Sequence, residues 1–235
     1  MKTVKKTLRK KISLISLIRL IIISLSLAAL SLAAAQGPVM MVALFSGLKE
    51  KVVPSDWRIE EWKGKADVQL VSDGSVKKAL CLKSAGTSTA LYKEISLNIK
   101  EYPFINWQWK VTKIPEKGDV RKRETDDEAA QIYVIFPKFP SQINSRMLGY
   151  IWDSNAPAGS EVTSAKLSTI KYIVVKSGAK ELGKWFSEKR NVYEDYKRLF
   201  HEEPPAVGSI ALMIDSDDTK SSAESFFGDI YLSAE

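Results

Sequence analysis

Three stretches of this 235-residue chain gather side chains that could do chemistry. In the first, Asp126-Asp127 with Glu128 follows the cations Arg121, Lys122 and Arg123, where a charged stretch runs into a segment of strand character. Carboxylates at a strand entrance can project over a sheet edge, accept hydrogen bonds from sugar hydroxyls or coordinate a hard cation. The plainer reading is a solvated loop whose surface ion pairs contribute little. The second stretch, Asp215-Ser216-Asp217-Asp218-Thr219, invites a calcium reading, with Asp217 as a ligand and Asp229 as its partner from the last strand. It lacks EF-hand spacing, because Lys220 stands at the sixth position where Gly is required and no Glu stands at the twelfth. Asp and Ser are also ordinary turn formers, so a capped turn accounts for the run equally simply. The third is Trp152-Asp153, with Tyr150 on the same strand face. An aromatic face beside a carboxylate suits the apolar and hydroxylated sides of a sugar ring, and core or rim packing is the competing reading. Trp107 and Trp109 also share a face, but they sit mid-strand between Ile105 and Val111 and read as core.

Shortage excludes several chemistries. An ordinary zinc site needs several His or Cys ligands, and the chain has one of each, His201 and Cys81, far apart. A Ser-His-Asp triad would have to use His201, which follows a helix end and reads more simply as a polar residue near the helix dipole. Cys81 lies in the apolar run Ala79 to Leu82 and reads as a small buried hydrophobe. No phosphate-binding loop or dinucleotide fingerprint occurs, so no cofactor is expected beyond a structural calcium. The enzymatic route left open is cleavage of a glycoside or polysaccharide by paired carboxylates about 5–9.5 Å apart. Asp126, Asp127, Asp153, Asp195, Asp215 and Asp217 are available for it.

The elements that must position these groups are mostly strands. Ile105, Trp107, Trp109 and Val111 alternate with Asn106, Gln108, Lys110 and Thr112, the signature of a strand with one buried face. Segments 57–62, 66–71, 78–83, 130–136, 148–152, 170–176, 209–214 and 226–232 read the same way, and Asp73-Gly74 marks a hairpin. From Asn191 to Phe200 the apolar residues fall at helical spacing, with Asn191 as cap and Pro204-Pro205 closing off any continuation. Residues 113–128 read as a long charged loop. Eight to eleven strands with one short helix near residues 191–200 predict an all-β chain, a two-sheet β-sandwich of jelly-roll type.

Four segments carry a family resemblance: TDDEAAQIYVIF (Thr125 to Phe136), LGYIW (Leu148 to Trp152), RNVYEDYKRLFHEEPP (Arg190 to Pro205) and GSIALMIDSDDTKSSAESFFGDIYLS (Gly208 to Ser233). With Trp57 and the Trp107-x-Trp109 strand, they resemble the bacterial exported family catalogued as domain-of-unknown-function family 3047. The resemblance implies an exported protein and lends no reaction. Gln131 stands where the family usually has Arg, and His201 where it usually has Gly after the last Phe of the helix. The closing FFGDIYL is also similar to the last strand of galactose-binding-like jelly rolls, which implies sugar binding and a structural calcium.

Charge and hydropathy set the compartment. Lys2, Lys5, Lys6, Arg9, Lys10, Lys11 and Arg19 are seven cations before residue 36, with no acid among them. They account for the whole net charge of +7, so the remainder is formally neutral and no nucleic-acid partner is expected. An apolar stretch from Leu20 to Leu32 and the small residues Ala33, Ala34 and Ala35 complete the pattern of a secretory signal. Cleavage after Ala35 is expected, with an uncleaved anchor over residues 12–35 as the rival and the only route to a membrane. Residues 36–235 then suit one sandwich domain, periplasmic or extracellular, stabilised by packing since one cysteine allows no internal disulfide. The expected function is non-catalytic binding of a glycan or envelope component, with Asp126, Asp127, Tyr150, Trp152, Asp153 and Asp215 as the binding edge. The alternatives are a carboxylate-dependent hydrolase or lyase on the same scaffold and a structural envelope protein.

Overall fold

A computed structural model describes residues 37–49, 53–74 and 76–235. The leader or anchor expected over residues 1–35 lies outside them. Among the described residues no helix is long and apolar enough to cross a membrane.

Among the described residues thirteen strands, numbered in chain order, form two sheets. The six-stranded sheet runs β11 (Phe186–Asn191), β6 (Phe104–Lys113), β13 (Ser222–Ser233), β4 (Lys77–Ala85), β3 (Asp67–Asp73), with β1 (Val39–Ala43) also paired to β13. The seven-stranded sheet runs β2 (Arg58–Lys63), β5 (Ser88–Leu97), β12 (Val207–Asp215), β7 (Ala130–Phe136), β8 (Arg146–Asp153), β10 (Ile170–Ser177), β9 (Glu161–Thr163). All pairs are antiparallel except β8 with β10. The chain passes repeatedly from one sheet to the other, and the result is the mainly β jelly-roll sandwich that the period-two patterning predicts.

The inward faces follow that patterning. Ile105, Trp107, Trp109 and Val111 of β6 are buried, and Trp109 meets Trp152 of β8 with ring centroids 6.0 Å apart. Trp107 lies 5.4 Å from the Tyr150 ring, so the two sheets interlock through aromatic side chains. Truncating any one of these would cost about 3–5 kcal/mol, the usual consequence of an unfilled core cavity. Cys81 is buried as expected, and burial pushes its thiol up to about 11.

Two α-helices are present among the described residues: the four-residue α1 (Ser141–Asn144), which the sequence did not announce, and α2 (Val192–Phe200). Asn191 Oδ1 caps α2 by accepting from the Glu194 N–H at 3.0 Å. Glu194 and Asp195 sit in its first turn and Lys197 and Arg198 in its last, both favourable to the helix dipole. Helix α2 ends on His201 at φ 56°, a left-handed position that glycine adopts at lower cost.

Four strands escape the sequence reading: β1, β5, β9 and β11. In β5, Ser88, Thr89, Ala90 and Leu91 are all buried, which erases the alternation that reveals a strand covered on one face.

Candidate functional site

The side chains on the outward face of the seven-stranded sheet, where Tyr133 and Tyr172 are buried and Tyr92 half-buried, can be followed across it by register. Arg58 of β2 lies opposite Tyr92 of β5, Tyr92 opposite Ala211 of β12, Ala211 opposite Tyr133 of β7, Tyr133 opposite Gly149 of β8, and Gly149 opposite Tyr172 of β10. Facing pairs share a sheet face, so three tyrosines alternate with Ala and Gly in one row. The alternation is steric. A Cβ on Gly149 would come within 2.9 Å of both the Tyr133 and Tyr172 rings, so only glycine lets the two lean over it. Trp62 of β2 extends the row, edge-on to Tyr92 at 6.2 Å, and it is 55% exposed.

This row is the floor of a groove of ≈ 510 Å³. Trp62 and Lys63 form one wall, and Ser164, Lys166, Leu167 and Ile170 form the other. Met147 and Met213 fill the floor between the tyrosines, and Asp126, Asp215 and Asp217 close one end.

The acidic end is built from two segments. Residues 126–128 enter β7, and residues 215–219 leave β12. Asp127 ties the two together: its carboxylate accepts from the backbone N–H of Asp218 at 3.1 Å and of Thr219 at 2.6 Å. Asp215 Oδ1 accepts from the Glu128 N–H at 2.8 Å and from Gln131 Nε2 at 3.1 Å. Gln131 Oε1 in turn accepts from the Tyr133 hydroxyl at 2.5 Å, so the tyrosine row and the carboxylates form one hydrogen-bonded chain. Lys166 reaches Asp126 at 3.3 Å and Asp218 at 2.5 Å, and Lys63 reaches Asp217 at 3.2 Å.

Six carboxylates, Asp126, Asp127, Glu128, Asp215, Asp217 and Asp218, thus share two lysines. Burial is severe: Asp126, Asp127, Glu128 and Asp215 are all buried. Desolvation, opposed by Lys166, pushes the Asp126 carboxyl up to about 6. Desolvation and the neighbouring acids push Glu128 and Asp215 well above the usual carboxylate range. Asp126 Oδ1 and Glu128 Oε1 have no hydrogen-bond partner. The Asp127, Asp215 and Asp217 carboxylates offer oxygens that all lie within 4.8 Å of one another, a spacing that fits a metal ion.

Several sequence expectations are corrected here. Tyr150 and Trp152 are fully buried between the sheets and offer no face to a ligand, because strand parity turns them inward while Gly149, Ile151 and Asp153 turn out. Asp153 is buried too, and its carboxylate holds a loop by accepting from the backbone N–H groups of Val120, Asn155 and Ala156. Asp229 is not a partner of Asp217. It accepts instead from the Ser46 hydroxyl and backbone N–H, on the six-stranded sheet. The loop before β7 is not freely solvated, and Arg121 pairs with Asp119 at 2.7 Å rather than with the acids at 126–128. Asp126, Asp127, Asp215 and Asp217 do come together. Trp62, Tyr92, Tyr133, Tyr172 and Lys166 were not singled out from the sequence, and only the period-two pattern around Tyr133 and Tyr172 carried a signal for any of them.

No curated protein has a sequence that matches this one. Among solved structures the chain is similar to the family 11 carbohydrate-binding module of the cellulosomal cellulase Lic26A-Cel5E of Clostridium thermocellum. That match has 9% identity and a TM-score of 0.47, covering 86% of this chain and 97% of that one. It is also similar to the family 30 carbohydrate-binding module of the cellulosomal cellulase Cel9D-Cel44B of Clostridium thermocellum, at 12% identity and a TM-score of 0.45, covering 84% of this chain and 98% of that one. A third is the K1 cleaved adhesin domain of Lys-gingipain from Porphyromonas gingivalis W83, at 10% identity and a TM-score of 0.42, covering 85% and 99%. The motifs quoted from the sequence agree with a family match over residues 53–231, and the chain belongs to the family described as protein of unknown function DUF3047.

Proposed function

We infer that this is an exported, non-catalytic sandwich that binds a glycan in the groove on the outer face of its seven-stranded sheet. The observation that carries this reading is the row Trp62, Tyr92, Tyr133 and Tyr172 beside Asp126, Asp215, Asp217 and Lys166 in one groove. The exposed Trp62 and half-buried Tyr92 offer ring faces to the apolar side of a sugar, and Tyr133 and Tyr172, each 4% exposed, back them from the floor. The carboxylates and ammonium suit the sugar's hydroxyls. Across the six strands from β2 to β10 the floor spans about 24 Å at the ordinary strand spacing, long enough for an extended oligosaccharide. Export rests on residues 1–35, with their cationic start, apolar stretch and small-residue end.

A second reading, hydrolysis by paired carboxylates, is favoured by the Asp126 carboxyl, which lines the groove and is pushed up to about 6, as a general acid requires. Against it, the Asp126 carboxyl is paired with Lys166 at 3.3 Å, and the aromatic row beside it serves binding without any catalytic carboxylate pair. Binding is therefore the reading we draw.

The test is thermal unfolding of the full chain with tetrasaccharides of β-linked glucose, xylose and N-acetylglucosamine. One of these at ~100-fold over its Kd raises Tm by about 5 °C or more. The rise disappears in Trp62→Ala. No rise with any of them, or a rise that survives Trp62→Ala and Tyr92→Ala, contradicts the groove as the site, and release of smaller sugars identifies a hydrolase.

A further inference from the structure

The acidic end of the groove holds more buried negative charge than its lysines neutralise. Lys166 contacts Asp126 and Asp218, and Lys63 contacts Asp217, both from the groove side. Among the described residues, no lysine or arginine forms an ion pair with Asp127, Glu128 or Asp215. Backbone and amide N–H groups satisfy part of Asp127 and Asp215 without neutralising them.

Glu128 is the independent sign. Its side chain is buried at 1% exposure, and Oε1 has no partner. Glu128 follows Asp127 directly in the chain and its N–H donates to Asp215 Oδ1 at 2.8 Å, so it sits between two carboxylates of the cluster. A buried, ionisable group left without a partner is costly, and proteins tolerate it where something else supplies the missing charge.

We propose that Asp127, Asp215 and Asp217, with Glu128 behind them, bind one calcium ion at the acidic end of the groove. The donors are all carboxylate oxygens, which selects a hard cation and argues against zinc or copper. They converge within 4.8 Å from two separate segments, an irregular arrangement that calcium accepts with its six to eight oxygens and that magnesium, with its demand for near-ideal octahedra, does not. The ion would cross-link the entrance of β7 to the turn after β12, doing with its double charge what Asp127 does with hydrogen bonds. Asp215 and Asp217 also line the groove, so the site opens onto it. Calcium binding does not depend on whether a glycan occupies the groove.

The experiment is a calcium chloride titration of the full chain after chelator treatment at neutral pH, read by calorimetry and by Tm. One ion per chain is expected, with Tm rising by about 5–10 °C at ~100-fold over Kd. Magnesium chloride at the same concentration gives a smaller rise. Asp217→Asn is the informative variant, because Asp217 is partly exposed and its lysine partner lies at the surface, so the fold survives its loss. It weakens calcium binding by about tenfold or more, at least the penalty for losing a group that only supports a ligand. Asp127→Asn also weakens binding and serves as the second variant. The absence of any calcium-induced rise in the wild type overturns the proposal, as does a rise unchanged in both variants. A chain stabilised only by acidification, and not by calcium, neutralises the cluster with protons and overturns it equally.

Discussion

Two buried acidic regions of this molecule are made of the same side chains and treated in opposite ways. Asp195, in the first turn of α2, is buried and fully matched. Its carboxylate accepts from Arg190 at 3.0 and 3.1 Å, from Arg198 at 2.8 Å and from the Tyr150 hydroxyl at 2.9 Å. At the end of the groove, Asp126, Glu128 and Asp215 are buried as deeply, yet two lysines serve six carboxylates. A matched buried charge locks one arrangement of the chain. An under-matched one stores the capacity to bind, and that capacity sits where the aromatic row ends.

The largest effect expected from this contrast is on stability. Asp195→Ala leaves the buried Tyr150 hydroxyl and two guanidinium groups without their acceptor. Because both arginines are partly exposed and can rehydrate, the cost is about 2–3 kcal/mol rather than the full price of a buried pair. Chemical denaturation checks it, and a loss below about 1 kcal/mol would erase the distinction between the two regions. Next is Trp62→Ala, which leaves Tm nearly unchanged because the side chain is 55% exposed, but weakens glycan binding by about thirtyfold if Trp62 is an anchor.

The patterning along each strand made the fold legible, and the pairing between strands hid the site. Trp107, Trp109 and Cys81 read as core from local sequence and are core, because burial on one face prints a period of two. Tyr92, Tyr133 and Tyr172 lie 41 and 39 residues apart in sequence and meet only through the registers of β5, β12, β7, β8 and β10. No local signal encodes that. The same gap misled the reading of Tyr150 and Trp152, for which a shift of one residue separates the core face from the groove face. The acids fared better: Asp126, Asp127, Asp215 and Asp217 gather because strand ends at one end of a sandwich converge. Asp229 failed because Ser46, 183 residues earlier in the chain, holds it on the other sheet.

The third prediction concerns pH, and its sign differs between matched and under-matched acids. The guanidinium of Arg121 holds Asp119 down to about 2, below the unfolded value near 3.9. Its stabilisation is therefore complete above about pH 4 and is lost as pH falls toward 2, by no more than about 1–2 kcal/mol because Arg121 is half exposed. Asp126 is raised to about 6, so the folded chain binds a proton that the unfolded chain releases. Asp126 accordingly contributes about 1–2 kcal/mol to the gain of the calcium-free protein as pH falls from 7 to 5, and Asp126→Asn removes that share while the raised Glu128 and Asp215 keep theirs. Urea titrations at several pH values follow both. The smallest effect is His201→Gly, which relieves a left-handed residue at the end of α2 and stabilises by up to about 1 kcal/mol, read as a rise of a few degrees in Tm.

The most direct test of the groove uses the chain's six tryptophans, Trp57, Trp62, Trp107, Trp109, Trp152 and Trp185, as reporters. Nitrogen-15 labelled protein gives one indole N–H resonance for each, and an oligosaccharide that raises Tm is titrated in. The Trp62 resonance moves while those of the buried Trp107, Trp109 and Trp152 stay in place. If Trp62 stays fixed while another indole, such as Trp185 beside the six-stranded sheet, responds, the binding face is on the other side of the sandwich and the account is wrong.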